Sequence, residues 1–322
     1  MKVLVIGGTG FLGYHAVLEF ARRGHRVTAV ARNKPTQALF PNEISLQIAD
    51  VHKLTDSDLN HLLAGHEALV FAAGVDTVTP QPSPAYDHFY NEIVLPCTRV
   101  LAAAREVGVT RGVILGSYFN TLDRLRPDLR LSTVHPYIRA RHVQAEEALK
   151  VAMPALQLVI LELPYIFGSM PGRISQWTGL VNYVRSPFPL FFPSGGTNAI
   201  SVEHVAEAIV GAIERGQGGE RYPIGDENLT WSELLGRLSR LAGHPKRVIT
   251  VPTPIIGGAL GLYQLVLQLR GLESGLLPFP FSALLTANAF FDPAPARAAL
   301  EMGHGDLDRA LHATILASPQ HR

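Results

Sequence analysis

The sequence predicts an α/β fold, a doubly wound parallel sheet with a smaller, mostly helical C-terminal subdomain, and three observations predict it. Apolar strand-like runs alternate with helix-period segments through the first half of the chain. The first of those runs ends directly in a glycine turn, and after Pro164 the alternation gives way to proline- and aromatic-rich sequence. A chain of 322 residues with 47% hydrophobic and 17% charged residues has the composition of a well-cored globular protein of one large or two ordinary domains, which excludes disorder.

The elements follow in order. Val3, Leu4, Val5 and Ile6 read as a strand that runs into Gly7, Gly8, Thr9, Gly10, Phe11, Leu12 and Gly13. Phe11, Leu12, Ala16, Leu18, Phe20 and Ala21 recur at helical spacing, Gly24 stops that helix, and residues 27–31 form a second apolar run, completing a β-α-β unit. Three glycines at G-x-x-G-x-x-G spacing allow a tight strand-to-helix turn, close approach of the backbone to a pyrophosphate, and close packing of the helix on the sheet. The phosphates of a dinucleotide would sit on the unpaired N–H groups of that helix. Gly8, Gly10 and Gly13 also fit G-x-G-x-x-G, so the spacing leaves both registers open.

Further strands are expected at residues 44–48, 68–72, 112–115 and 156–161, with helices at 56–63, 85–107 (kinked at Pro96) and 137–151, joined by right-handed crossovers. Pro171, Pro187, Pro189 and Pro193 punctuate a loop-rich insertion; a helix resumes at 202–214 and a strand at 221–224. Thr230 and Glu233 form a capping box for a helix to residue 241. The apolar stretch 255–269 is too short and too interrupted to span a membrane, and reads as a buried or pocket-lining helix, with peripheral contact to a membrane as the alternative. Residues 1–164 with 200–225 are thus assigned to a dinucleotide-binding Rossmann domain, and 165–199 with 226–322 to a substrate-binding subdomain.

A net charge of +1 shows no global bias toward nucleic acid, and no nucleic-acid partner is expected. The single Cys97 excludes an intramolecular disulfide or a multi-cysteine metal site and suits a cytoplasmic location. The N-terminal apolar stretch is broken by Gly-Gly-Thr-Gly, unlike a secretory signal. Thirteen histidines show no zinc spacing, so no metal is expected; His135 and His142 flank residues 137 and 141 and read most simply as surface or capping groups. Neither a G-x-S-x-G elbow nor a G-x-x-x-x-G-K-[ST] loop is present, which removes the hydrolase and nucleotide-hydrolysis classes those motifs mark.

Together the glycine turn, Asp50 after the third strand, Val70-Phe71-Ala72-Ala73-Gly74 after the fourth, Leu115-Gly116-Ser117 after the fifth and Pro136-Tyr137-x-x-x-Arg141 opening a helix resemble the extended short-chain dehydrogenase/reductase family. That group includes nucleotide-sugar epimerases, dihydroflavonol reductases and hydroxysteroid dehydrogenases. The resemblance implies that Tyr137 is a general acid/base toward a substrate hydroxyl or carbonyl and that Ser117 orients the substrate oxygen. The family's lysine, four residues past the tyrosine, binds the nicotinamide ribose and eases loss of the phenolic proton; here that residue is Arg141. A guanidinium keeps the positive charge and the donors but is never deprotonated, so it supports the phenolate without relaying a proton. The competing reading makes Tyr137 a helix-start aromatic and Arg141 a solvated charge. Other departures are Ile93, with Asn91 two positions away, where the family often has asparagine, no arginine just before Pro164, and His204 in place of a common aspartate.

The resemblance implies a cofactor site made of Gly7, Gly8, Thr9, Gly10, Phe11, Leu12, Gly13, Arg32, Lys34, Asp50, Val51, Ala72, Ala73, Gly74, Arg141 and Pro164. Asp50 would receive the adenine amino group, with a turn or capping role as the alternative. Ala31 stands where NAD sites carry an acid, and Arg32 and Lys34 supply positive charge, so NADP(H) is expected, with NAD(H) as the alternative. The expected function is NADP(H)-dependent interconversion of a carbonyl and a secondary alcohol on a small hydrophobic substrate. Tyr165, Phe167, Trp177, Tyr183, Phe188, Phe191 and Phe192 are candidates to line its site. Two alternatives stand beside it: a nucleotide-sugar epimerase or dehydratase with retained cofactor, whose diphosphate would meet Arg173 and Arg185, and a cofactor-binding sensor or assembly protein without turnover. Dimers are common among the relatives, so a homodimer is expected by analogy.

Overall fold

The computed structural model describes residues 1–75, 79–305 and 307–319, so the expected substrate segment 226–322 is seen to residue 319 apart from 306. Its centre is a seven-stranded sheet of β1 (Lys2–Ile6), β2 (Arg26–Ala31), β3 (Ser45–Ile48), β4 (Ala68–Phe71), β5 (Arg111–Ser117), β6 (Gln157–Leu163) and β7 (Arg221–Pro223). The order is β7-β6-β5-β4-β1-β2-β3 and every pairing is parallel. The chain therefore winds outward in both directions from β1 and β4, and the crevice at the C-terminal ends of those two strands is the topological switch point.

Helices cover both faces of the sheet, which is why its inner strands read as unbroken apolar runs. Val3, Val5, Val70, Val113 and Leu115 face the Phe11–Arg22 and Val202–Arg215 helices, and Leu4, Ile6, Leu69, Phe71, Ile114 and Ile160 face the Leu95–Glu106 and Pro136–Ala152 helices. The alternation of these two sets along each strand is the period-two geometry of a β-strand. The segment expected to be one helix kinked at Pro96 is instead Ala85–Phe89, a π turn at Tyr90–Val94, and Leu95–Glu106. Pro96 has no N–H to donate, and the wider π turn, in which the Leu95 N–H reaches back to the Tyr90 carbonyl, carries the chain into the proline without breaking the helix.

A second, smaller sheet is built on Gly196–Ser201. One edge pairs antiparallel with Glu227–Thr230; the other pairs in turn with Asn288–Ala289 and Tyr165–Phe167, both parallel. Around it Phe167, Val181, Val184, Leu190, Trp231, Leu235 and Leu311 form a separate apolar cluster. The capping box is present: Thr230 Oγ1 accepts from the Glu233 N–H while Glu233 Oε2 accepts from the Thr230 N–H, at the start of the Trp231–Leu241 helix.

The apolar stretch expected to be a buried helix is a helix, Thr253–Leu269, but not a buried one: only Gly257 and Leu267 are buried. Leu262, Leu265 and Leu269 face outward, because the Pro278–Thr286 helix packs on one side of it and nothing among the described residues covers these three. No helix among the described residues is long and apolar enough to cross a membrane.

Candidate functional site

The glycine turn is shaped by sterics at its two ends. Gly7 has φ +81°, and a Cβ there would stand 2.9 Å from the Ala72 carbonyl carbon, so the turn lies against the segment that continues β4 through Ala72, Ala73 and Gly74. A Cβ on Gly13 would overlap the Gly7 carbonyl oxygen, so the helix approaches the turn more closely than any side chain allows. The Gly7 and Gly8 N–H groups both donate to the Val30 carbonyl at 3.0 Å, and Gly10 donates to Gly7 at 2.8 Å, with Thr9 between them. Gly10 is the N-cap of the Phe11–Arg22 helix and makes no side-chain cap, so the first-turn N–H groups of Phe11, Leu12 and Gly13 have neither an intrahelical nor a side-chain partner. This cradle fits a pyrophosphate.

Arg32 and Lys34 follow β2, exposed, with no acidic partner among the described residues. Asp50 is engaged locally: its Oδ1 accepts from the His52 N–H at 3.2 Å, and Lys53 lies 3.5 Å from Oδ2. Val51 is buried beside it, and Pro164 is buried directly after β6.

At the other end of the crevice, the Pro136–Ala152 helix carries Tyr137 in its first turn and Arg141 one turn later. The i, i+4 spacing stacks them on one face, and Arg141 Nε donates to Tyr137 Oη at 3.0 Å. Arg141 Nη1 donates to the Leu115 carbonyl at 3.1 Å and to Gln144 Oε1 at 2.9 Å, and Gln144 Nε2 donates to the Ile93 carbonyl at 3.2 Å. Asn120 Nδ2 donates to the Arg141 carbonyl at 3.2 Å. Arg141 is only 8% exposed, so its reading as a solvated charge is wrong. It ties the helix of Tyr137 to the strand that ends in Ser117, whose Oγ accepts from the Phe119 N–H at 3.3 Å.

Gln144, Asn120 and the Ile93 carbonyl escaped the reading of the sequence. Gln144 had a signal, since it sits three residues past Arg141 on the same helix face. The Ile93 carbonyl had none, because it depends on the π turn.

Two sets of candidates lie elsewhere than expected. His135 stands at the N-cap position of the Pro136–Ala152 helix, as a capping residue would, but is no surface group and makes no side-chain cap: it is 1% exposed, its Nδ1 accepts from the Leu277 N–H at 2.9 Å, and burial pushes its pKa down to about 4. The rings around Tyr137 are Phe89 at 5.7 Å and Phe119 at 6.4 Å, with Phe281 against Phe119. Phe167 and Trp177 instead stack at 5.0 Å within the second apolar cluster, and Phe188 and Phe191 are exposed. Arg185 is also committed, donating to the Ser318 and Ile315 carbonyls at 2.7 and 3.0 Å at the end of the Leu307–Leu316 helix.

Burial sets the remaining electrostatics. It holds the phenols of Tyr118 and Tyr165 well above their ordinary range, the latter at about 12, so both stay protonated. Burial also pushes the Cys97 thiol, beside Gln144, up to about 12. His204 is also raised, but by a partner and against its burial: its hydrogen bond to Asp226, Nδ1 to Oδ1 at 2.6 Å, favours the charged ring.

Comparison with known proteins places this geometry in a family. The family model described as NAD(P)H-binding matches residues 7–215. A 2-alkyl-3-oxoalkanoate reductase from Stenotrophomonas maltophilia is 27% identical over 92% of this chain and 93% of its own. A decarboxylating sterol-4-alpha-carboxylate 3-dehydrogenase from Dictyostelium discoideum is 22% identical over 94% and 95%. Among solved structures, a nucleoside-diphosphate-sugar epimerase from Pseudomonas aeruginosa superposes with a TM-score of 0.71 at 19% identity, covering 98% of this chain and 97% of its own. The chain belongs to the NAD(P)H-binding family, within the extended short-chain dehydrogenase/reductases, and is an oxidoreductase of that type that uses a nicotinamide cofactor.

Proposed function

We propose that the protein is a cytoplasmic NADP(H)-dependent reductase or dehydrogenase that interconverts a carbonyl and a secondary alcohol on a small apolar substrate. The observation that carries this reading is the 3.0 Å hydrogen bond from Arg141 Nε to Tyr137 Oη. The phenol oxygen accepts from a buried cation, which leaves its own proton to be given to a substrate oxygen and stabilises the phenolate that results. Ser117 Oγ holds the same substrate oxygen. Arg141 is a positioning and charge-supplying residue, fixed by Leu115 and Gln144, and does not relay the proton. The nicotinamide, when bound, supplies or accepts the hydride. Phe11, Leu12 and Gly13 would hold the cofactor's pyrophosphate and Arg32 and Lys34 a 2′-phosphate, with Ala72 to Gly74, Val51 and Pro164 as the further residues of its site. With both Asp50 oxygens engaged locally, we assign that residue to the turn first and to the adenine second.

A substrate with an apolar body is supported by the aromatic surround of Tyr137 and by the names of the two relatives, whose substrates, an alkyl-oxoalkanoate and a sterol carboxylate, join a hydrophobic body to a carboxylate. We assign its selection to residues 165–199 and 226–322. The commitment of Arg185 to backbone carbonyls removes one of the two cations that a nucleotide-sugar diphosphate would have met. The test is NADPH and NADH titration of the protein and of Arg32→Asp, followed by NADPH oxidation across a panel of ketones. Tighter binding of NADPH, abolished by the substitution, with turnover on apolar ketones, is expected. Equal affinities would remove the NADP(H) assignment, and cofactor that co-purifies without exchanging would favour the epimerase reading.

A further inference from the structure

The Thr253–Leu269 helix is built inside out for a helix facing water. Ile255, Leu262, Leu265, Val266 and Leu269 are 61, 65, 50, 38 and 79% exposed, whereas Gln264 is half-buried, its Oε1 accepting from the Phe279 N–H at 3.0 Å, and only Gln268 of its two side-chain amides is exposed. A surface helix ordinarily places its apolar stripe on the core and its polar residues outside. Phe279, on the neighbouring helix, is 56% exposed. On the adjoining ribbon Ile249 is the register partner of Phe191, and both are exposed.

Charge completes the pattern. No charged residue occurs from 248 to 269, and from 248 to 291 there are only Arg270 and Glu273. Glu273 is turned inward, its Oε2 accepting from the Ala85 N–H at 2.6 Å. Arg247 and Arg270, at the two ends of the uncharged stretch, are exposed and have no acidic partner among the described residues.

We propose that this face docks on the surface of an anionic lipid bilayer, the helix lying in the plane of the interface with its leucines among the acyl chains and the two arginines at headgroup level. Seventeen residues of helix extend about 25 Å, short of the hydrocarbon core, so the helix rests in the interface and does not cross it. A lipid surface suits the charge better than a second copy does, because a two-fold contact centred on this face would bring the unpaired arginines of the two copies toward one another.

Docking would bear on the reaction through the chain that follows the helix. The Gly275 carbonyl accepts from the Tyr137 N–H at 2.9 Å, and Leu277 donates to His135. Gln264, Leu267 and Gln268 of the helix share a cavity of about 190 Å³ with Glu273, Ser274 and Leu277 of that segment. A bilayer-dissolved alcohol or ketone would meet the protein at this cavity, a consequence that rests on the function proposed above.

The test is flotation of the full chain, loaded with NADPH, with vesicles of phosphatidylcholine alone and of phosphatidylcholine mixed with phosphatidylglycerol. The expected result is flotation with the anionic vesicles, weakened by salt and by Arg247→Gln/Arg270→Gln. Leu262→Glu/Leu269→Glu should lower it by at least about tenfold while NADPH affinity and the melting temperature stay unchanged. Failure of the unsubstituted protein to float with either vesicle overturns the proposal. So does a concentration-dependent dimer in analytical ultracentrifugation that Leu262→Glu/Leu269→Glu abolishes, which would make the face a self-interface. Because flotation requires no turnover, a negative result would leave the chemistry assigned to Tyr137 standing.

Discussion

Replacing Arg141 with Met keeps an unbranched apolar stem and removes the charge and the donors, so it tests what the guanidinium does. Three hydrogen bonds disappear, to Tyr137 Oη, the Leu115 carbonyl and Gln144 Oε1. Two of those acceptors are then stranded in the interior at about 1–3 kcal/mol each. The relief of a buried cation's desolvation offsets part of that cost, so a net loss of about 2–4 kcal/mol of folding stability is expected. For catalysis, removal of a preorganised donor from an oxygen that develops negative charge costs about 10²–10³ in kcat, or about 3–4 kcal/mol. The assay is NADPH oxidation with the best ketone of the panel, alongside a fluorescence titration of NADPH and urea unfolding. Arg141→Lys keeps a charge in reach of the phenol and should retain activity within about tenfold of the parent. Parental turnover by Arg141→Met, or a loss that appears entirely in NADPH affinity, would refute this role of the guanidinium. If the native protein is inert and Arg141→Lys creates activity, the arginine marks a cofactor-binding protein without turnover.

Three further outcomes are expected. Gly13→Ala puts a methyl group onto the Gly7 carbonyl and must push the helix off the turn, so NADPH should bind at least about tenfold more weakly; an unchanged Kd would show that the turn is not the pyrophosphate cradle. His135 is held neutral, its pKa down from 6.5 to about 4, so the unfolded chain takes up the proton first as pH falls. Stability should therefore decline from pH 6.5 downward, by about 2 kcal/mol between pH 7.5 and pH 5, and level off below pH 4. His135→Asn keeps the acceptor for Leu277 without titrating and should remove that part of the slope; an identical slope in the variant would contradict the assignment. The buried Cys97 thiol, pushed up to about 12, should resist a disulfide reagent in the native state and react fully on unfolding, whereas rapid native labelling would show that the interior beside Gln144 opens.

The parts of this molecule that were legible in sequence are those whose signals are local. Strands buried on both faces read as short apolar runs, the glycine spacing around Gly7 and Gly13 reads as a turn, and Thr230 with Glu233 reads as a cap, because each is decided by residues within one turn or one strand. The Tyr137–Arg141 pair was visible for the same reason, being a single helical turn. What escaped depends on tertiary placement. The Ile93 carbonyl became an acceptor only because a π turn precedes Pro96, and His135 was buried by a segment 142 residues further on. The Thr253–Leu269 helix shows the limit most clearly. Hydropathy says that its leucines avoid water, but the side of the surface on which they do so is set by whether another element covers them.

In the proposed function Tyr137 moves the proton while other residues hold the cofactor. Tyr137→Phe removes one oxygen from a buried ring and leaves the glycine turn, Arg32 and Lys34 untouched, so the decisive measurement is its ketone turnover beside its NADPH affinity. A fall in kcat of at least about 10² with an unchanged Kd for NADPH is expected. Turnover at the parental rate with NADPH bound normally would contradict it.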